Sequence, residues 1–308
     1  MFWERNDNVH DTQNITDWEN YTTEQLIAIA REKRIEAEQA YPRDLMPPVA
    51  GREMFFETEL GKIRALTYNI ESYGILPVFV NLHGGGFVMG SAESDDPFMP
   101  SIAEGANVRV INVDYSLAPE NPFPRAVEEV YAVLRYLKRN ADELRIDPNR
   151  IALGGHSAGG NFTASVCIMD AERKEIGIRC AILDYPPLDV YTDPSMKPQP
   201  AEAIPVDMGR LFDACYHNVR EERKNPLISP LYASYDQLQA FPPTLIITAE
   251  YDSLCNEAEK FWKKMKNVND HVEYKCFKGC YHGFTHENVP EARLAWETMI
   301  SFLKRNLS

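Results

Sequence analysis

The spacing of hydrophobic residues changes along the chain, and each spacing predicts a different element. Apolar residues recur at helical intervals over 22–40 and predict a first helix, which Pro42 terminates. Strand-like runs follow at 53–59 and 62–70, and the Leu60-Gly61 pair joins them. We therefore expect a helix followed by an antiparallel hairpin in the N-terminal part of the chain.

Beyond this hairpin, short apolar runs alternate with longer amphipathic segments. Strands are predicted at 78–82, 108–113, 151–153, 180–183, 244–248 and 271–277. Helices are predicted at 125–140, 158–170 and 256–267, and Pro290 opens a final helix. This alternation is typical of an α/β fold with a mostly parallel central sheet flanked by helices on both faces.

A proline-rich segment at 186–230 interrupts this alternation and contains one helix-like stretch, 206–220. An insertion between two core strands is a natural place for a helical cap. We therefore predict an N-terminal cap segment at 1–50, a core at 51–185 and 231–308, and a cap insertion at 186–230.

Composition narrows the range of partners. The chain has 308 residues and a formal net charge of −14, so it should repel phosphate backbones and anionic membrane surfaces, and we expect it to bind neither. No basic start followed by an apolar core is present, and no apolar stretch reaches the length of a membrane span. With six scattered cysteines, we expect a cytoplasmic protein with reduced thiols.

The first motif with chemical meaning reads Gly-His-Ser-Ala-Gly at 155–159 and fits the pattern G-x-S-x-G. In this pattern a strand turns sharply into a helix and exposes the serine oxygen, and the glycines leave room for the close approach of strand and helix. An apolar run precedes the motif and a helix-like segment follows it. Ser157 is therefore a candidate nucleophile, and a purely structural glycine turn is the alternative.

The second motif, His83-Gly84-Gly85-Gly86, follows the apolar strand at 78–82. Consecutive glycines allow backbone N–H groups to point at one spot, as acyl transfer requires for the oxyanion of its tetrahedral intermediate. The N–H of Ala158 would be a further donor. A phosphate-binding loop is the alternative, but the usual glycine patterns of such loops are absent from the sequence.

An acid and a base should follow the serine in the order Ser, Asp, His. Asp252 and His282 each come just after a predicted strand, where α/β sheets place their active residues. Glu250 and Asp184 compete for the role of the acid, and His286 competes for the role of the base. We rank Asp252 and His282 first because of their position and order.

Together these motifs resemble the bacterial hormone-sensitive-lipase type of esterase, over roughly residues 53–305. The stretches that carry the resemblance are HGGG at 83–86, DYSLAPE at 114–120, GHSAGG at 155–160, ISPL at 228–231, YDSLCNE at 251–257 and YHGF at 281–284. The resemblance implies an α/β-hydrolase fold with a helical cap. It also implies a carboxylesterase that acts on short acyl chains, needs neither a cofactor nor a metal, and can form homodimers.

By the same resemblance, Ser157 is the nucleophile, His282 the base and Asp252 the acid. Gly85, Gly86 and Ala158 would supply the oxyanion N–H groups, with Gly84 shaping the loop.

Three positions depart from the family pattern. His156 and Ser116 stand where the family usually has Asp and Arg, and Asn256 stands where it often has Asp. The first two changes suggest that a supporting contact beneath the serine turn is absent or replaced. We expect the ring of His156 to point away from the serine oxygen, so that it cannot act as the base.

The sequence thus predicts a serine esterase that hydrolyses short-chain acyl or acetyl esters of small molecules through an acyl-enzyme intermediate. Two alternatives remain open at this stage. One is an amidase or peptidase that uses the same triad, and the other is a non-catalytic receptor of the same fold that binds a small ligand.

Overall fold

The computed structural model describes residues 17–40 and 48–308. Within these residues a sheet of eight strands forms the centre of the molecule. The strands are β1 (Arg52–Thr58), β2 (Gly61–Tyr68), β3 (Leu76–Leu82), β4 (Arg109–Asp114), β5 (Ile146–His156), β6 (Cys180–Asp184), β7 (Thr244–Tyr251) and β8 (Val272–Tyr281). Their order is β1-β2-β4-β3-β5-β6-β7-β8, with β2 antiparallel to both of its neighbours and all other pairs parallel. The predicted α/β fold is confirmed.

Helices cover both faces of this sheet. They are α1 (Thr23–Ala40), α2 (Met99–Ala106), α3 (Arg125–Arg139), α4 (Ala141–Leu144), α5 (Ala158–Arg173), α6 (Val206–Tyr216), α7 (Tyr235–Gln239), α8 (Cys255–Lys266) and α9 (Pro290–Leu307). The core on one face includes buried residues of α1, α3, α5 and α8, whereas α2 and α9 contribute to the core on the other. Strands β3 and β6 bury every residue because both of their sides are covered, which explains their continuous apolar runs.

Some elements differ from their predicted bounds. Strand β5 is longer than the predicted 151–153, because the polar stretch 147–150 hides its first half in the hydrophobic pattern. Helix α6 ends at Tyr216 and not at 220. The next residue, His217, has an extended backbone, and its carbonyl accepts a hydrogen bond from Arg223 Nε at 2.7 Å. Helix α2 was not predicted, because eight residues that include a proline and a glycine give only a weak helical signal.

The insertion between β6 and β7 carries α6 and contacts the described part of the N-terminal segment. Trp18 Nε1 donates to the backbone oxygen and to Oδ1 of Asp207, both at 3.1 Å. An ion pair of 2.9 Å joins Glu19 and Arg223. Residues 1–16 and 41–47 of the predicted N-terminal cap segment lie outside the described residues.

Each helix in the described residues is too short or too polar to cross a bilayer.

Candidate active site

Ser157 sits at the sharp turn between β5 and α5. Its backbone has φ 52° and ψ −117°, a strained conformation for a residue with a side chain. The turn is held by the Ser157 N–H, which donates to the Asp184 carbonyl at 2.8 Å, and by the Asn161 N–H, which donates to the Ser157 carbonyl at 3.1 Å. The half-buried serine thereby borders a pocket at the carboxyl ends of the parallel strands.

Three side chains form a continuous hydrogen-bonded series at this turn. His282 Nε2 lies 2.9 Å from Ser157 Oγ, and His282 Nδ1 lies 2.8 Å from Asp252 Oδ2. The other carboxylate oxygen of Asp252 accepts the Leu254 N–H at 3.0 Å. Asp252 and His282 directly follow β7 and β8, so neighbouring parallel strands bring them to the same edge of the sheet as Ser157.

The glycine loop after β3 lies against the serine turn. A Cβ on Gly84 would stand 3.5 Å from the Cβ of Ser157. Gly85 and Gly86 have φ of 131° and 59°, and a Cβ on Gly85 would stand only 2.0 Å from the Met89 carbonyl oxygen. Because a side chain would be strained at both positions, glycine is required for the loop to keep this conformation beside the serine turn.

The pocket in front of Ser157 is lined mainly by apolar groups and has an empty volume of about 1190 Å³, counting its open mouth. The cap insertion supplies one wall, where the Phe212 ring of α6 packs so closely on Gly86 that a Cβ there would lie 2.4 Å from it. Other lining residues from the insertion are Pro187, Pro194, Lys197, Gln199, Ile204, Gly209 and Asp213. The insertion therefore shapes the space next to the glycine loop.

The competing candidates from the sequence have other partners. Asp184 accepts hydrogen bonds from Thr285 and from His156. Glu250 accepts hydrogen bonds from Lys278 Nζ and the Gly279 N–H at the protein surface. His286 Nε2 lies 2.8 Å from Asp95. The structure thus brings His282 and Asp252, rather than these three residues, to the serine.

His156 belongs to a buried polar network behind the serine turn. Its Nδ1 lies 2.8 Å from Asp184 Oδ2, and its Nε2 lies 4.0 Å from Asp95 Oδ2. Burial by itself lowers the pKa of His156, but the charges of Asp95 and Asp184 outweigh it, so the pKa is raised. The His156 ring thus faces these carboxylates and not the serine oxygen, which agrees with the expectation that the ring points away from Ser157.

The network continues to residues that the sequence motifs did not identify. Tyr185 OH lies 2.8 Å from Thr285 Oγ1 and 3.0 Å from His286 Nδ1. Its ring also meets the ring of His282 edge to face, with centroids 4.8 Å apart. Tyr185 follows Asp184 at the end of β6, and this position at a strand end is the only signal that could have identified it. It links the network to the hydrogen-bonded series of Ser157.

The network gives a testable pH dependence of stability. Because the folded-state pKa of His156 is raised, its contribution is complete below the unfolded-state pKa of about 6.5 and is lost as pH rises through the folded-state value. We expect the stability advantage of the wild type over His156→Gln to shrink between pH 6 and pH 9, as measured by urea unfolding. An advantage that stays constant or grows with pH would contradict a charged His156 in the folded protein.

Ser116, the other departure from the family pattern, lies in a separate contact. Its N–H and hydroxyl both donate to Glu129 at 2.8 Å, and Arg125 Nε donates to the same carboxylate at 2.7 Å. Within the described residues Ser116 and His156 therefore have different partners, so the two replacements do not form one substitute contact.

Comparison with known proteins agrees with this geometry. A family model described as the α/β-hydrolase fold matches residues 79–286, which include the glycine loop, Ser157, Asp252 and His282. The carboxylic ester hydrolase LipN of Mycobacterium tuberculosis is 30% identical over 271 residues, which cover 83% of this chain and 72% of the relative. The carboxylesterase NlhH of the same organism is 32% identical over 240 residues, which cover 75% of this chain and 74% of the relative.

Solved structures show the same similarity. A hyperthermophilic esterase from the archaeon Pyrobaculum calidifontis superimposes with a TM-score of 0.81 at 29% identity and covers 93% of this chain and 92% of its own. The carboxylesterase EstE1, cloned from a metagenomic library, gives a TM-score of 0.79 at 32% identity and covers 94% of this chain and 98% of its own. The resemblance found in the sequence is confirmed, and the chain belongs to the α/β-hydrolase family, in its hormone-sensitive-lipase type.

Proposed function

We propose that the protein is a serine esterase that hydrolyses short-chain carboxylic esters through an acyl-enzyme intermediate. The observation that carries this proposal is the continuous series from Ser157 Oγ through His282 to Asp252, with hydrogen-bond distances of 2.9 and 2.8 Å. The relatives named as carboxylic ester hydrolase, carboxylesterase and acetyl esterase support it.

In the proposed reaction, His282 Nε2 accepts the proton of Ser157 as Oγ attacks the ester carbonyl. Asp252 accepts from Nδ1, fixes the ring tautomer and stabilises the imidazolium that forms. His282 then returns the proton to the leaving alcohol, which departs and leaves the acyl-enzyme. Water attacks the acyl carbonyl with the same proton transfers and releases the carboxylic acid.

The tetrahedral intermediates in this scheme carry a negative oxygen. We assign the backbone N–H groups of Gly85, Gly86 and Ala158 to this oxyanion, with Gly84 shaping the loop. The close packing of Gly84 on Ser157 and the left-handed backbone of Gly86 support the assignment. Such fixed donors act where charge develops, and loss of one typically lowers turnover about 100- to 1,000-fold.

We also propose that 1–50 and 186–230 act as a cap over a core of 51–185 and 231–308. The contact of Phe212 with Gly86 supports this division, because it places the insertion directly over the glycine loop. The apolar lining of the pocket suits a short acyl chain, and the substrate would be a small-molecule ester.

A panel of substrates tests the proposal against its alternatives. We expect p-nitrophenyl acetate and butyrate to be hydrolysed at least about 100-fold faster than the matching p-nitroanilides, because an amide needs stronger leaving-group protonation. Equal or faster cleavage of the anilides would favour the alternative function of an amidase or peptidase. In parallel, a fluorophosphonate probe should label Ser157, as read by peptide mass spectrometry. Neither labelling nor turnover would be expected of a ligand receptor.

A further inference from the structure

One carboxylate in the pocket wall has no role in the proposed reaction. Asp213 lies on α6, next to Phe212, and borders the same pocket as Ser157. Among the described residues, no donor forms a hydrogen bond with the Asp213 carboxylate and no cation lies within 4 Å of it. Asp213 is half-buried, and a carboxylate in a largely apolar pocket without such a partner is less stable than one in water.

The neighbouring cations are already engaged with other acids. Lys197 Nζ lies 2.7 Å from Glu257 Oε2 and also donates to the Asp189 carbonyl at 2.8 Å. Arg223 forms its ion pair with Glu19 at 2.9 Å. Both cations attract Asp213 only from a greater distance, so neither of them neutralises Asp213 directly when it is ionised.

Two other acids near Asp213, Glu257 and Asp189, accept several hydrogen bonds from protein donors. Glu257 Oε1 accepts the N–H groups of Leu188 and Asp189, at 2.7 and 3.1 Å. Asp189 accepts the Thr192 N–H and hydroxyl and the Tyr232 hydroxyl. Asp213 therefore differs from its neighbours in that it lines the pocket and no described donor forms a hydrogen bond with its carboxylate.

Burial raises the pKa of Asp213 to about 7, although the charges of Lys197 and Arg223 oppose this shift. Glu257 and Asp189 add to the increase. An unliganded Asp213 thus ionises near neutral pH, and a cation bound beside it would favour the ionised form.

We propose that Asp213 makes this pocket selective for esters that carry an ammonium group. The proposal rests on the esterase function proposed above and adds a substrate class to it. An ammonium group beside Asp213 would compensate the negative charge of this carboxylate in a pocket lined mainly by apolar groups, where a charge pair is stronger than in bulk water. A neutral group of the same shape would leave the carboxylate as costly as before.

The test compares isosteric esters that differ only in charge. Acetylcholine and 3,3-dimethylbutyl acetate place the charge on the alcohol side. Methyl 4-(trimethylammonio)butanoate and methyl 5,5-dimethylhexanoate place it on the acyl side. For at least one pair we expect the wild type to show a kcat/KM about tenfold or more higher for the charged ester at pH 8.5. A ratio of one or less in both pairs overturns the proposal.

Variants connect this ratio to Asp213. Asp213→Asn should reduce the charged-to-neutral ratio about tenfold, and Asp213→Glu should retain most of it. Asp207→Asn removes the charge of an exposed carboxylate from the same helix but keeps the Oδ1 acceptor of Trp18, so it should leave the ratio unchanged. Because each ratio is taken within one protein preparation, partial loss of folded protein cancels. A ratio that persists in Asp213→Asn, or that falls equally in Asp207→Asn, contradicts the assignment.

A pH series adds a second readout. The charged-to-neutral ratio should increase from pH 6 to pH 8.5 as Asp213 ionises, and any effect of pH that is common to both esters cancels in the ratio. A ratio that is independent of pH contradicts the role of Asp213. Failure of the esterase function itself is distinguishable, since neither p-nitrophenyl acetate nor any ester of the two pairs would then be hydrolysed.

Discussion

Replacement of Ser157 by alanine is expected to lower kcat for p-nitrophenyl acetate by about 10⁴- to 10⁶-fold. The variant lacks the oxygen that would form the acyl bond, while the glycine loop and the pocket remain. A small side chain at this turn keeps the Ser157 backbone contacts with Asp184 and Asn161, so the fold should survive. Steady-state kinetics and circular dichroism on the same preparation would check both statements.

The matched comparison uses two histidines. His282→Ala should lose activity to a similar extent as Ser157→Ala, because the base that contacts the serine oxygen is gone. His286→Gln should stay within about tenfold of the wild type, since His286 contacts Asp95 and Tyr185 instead. Near-normal turnover in Ser157→Ala would contradict the nucleophile assignment. Equal losses in the two histidine variants would transfer part of the proposed role to His286.

Replacement of Gly159 by alanine is expected to destabilise the protein by about 3 kcal/mol or more. A Cβ at this position would lie 2.0 Å from the Leu82 carbonyl oxygen and 2.6 Å from that of His83. These atoms are backbone and cannot rotate away, so α5 or the end of β3 must shift. Urea unfolding would measure the loss, and turnover should fall with it because β3 leads directly into the glycine loop.

Gly160→Ala is the control for this prediction. Its Cβ would meet Pro186 Cβ at 3.0 Å and the Gly155 carbonyl oxygen at 3.2 Å, a tight but less severe approach. Both glycines lie in the first turn of α5, so the change in helix propensity is similar in the two variants and the difference between them reports the close contacts. We expect this variant to lose at least about 2 kcal/mol less than Gly159→Ala. Equal losses would show that the close contact of α5 with β3 is not what constrains the helix start.

The sequence was most informative where chemistry follows a strand end. Ser157, Asp252 and His282 each come immediately after a strand, and parallel strands bring such positions to one edge of the sheet. The spacing of Gly84, Gly85 and Gly86 could be interpreted for the same reason, since the loop directly follows β3. The order of these residues along the chain and their positions at strand ends were enough to predict them as the catalytic residues.

Contacts between distant side chains could not be predicted in this way. Asp95 and His156 are far apart in sequence, and Asp95 lies in no recognisable motif. Asp213 of α6 borders the same pocket as Ser157, which lies far from it in sequence. Such contacts depend on how the insertion packs on the core, and periodicity carries no information about that packing.

Helix α6 also constrains how the substrate preference of this enzyme could change in evolution. Phe212 contacts the glycine loop, and the next residue, Asp213, borders the pocket. One short segment of α6 therefore influences both the proposed oxyanion site and the proposed choice of substrate. A substitution that moves α6 to admit a new substrate would also displace the loop. In directed evolution of this protein, a changed substrate preference and a reduced turnover rate should therefore appear together. Later substitutions near the hydrogen bonds between Trp18 and Asp207, which hold α6, should restore the turnover rate.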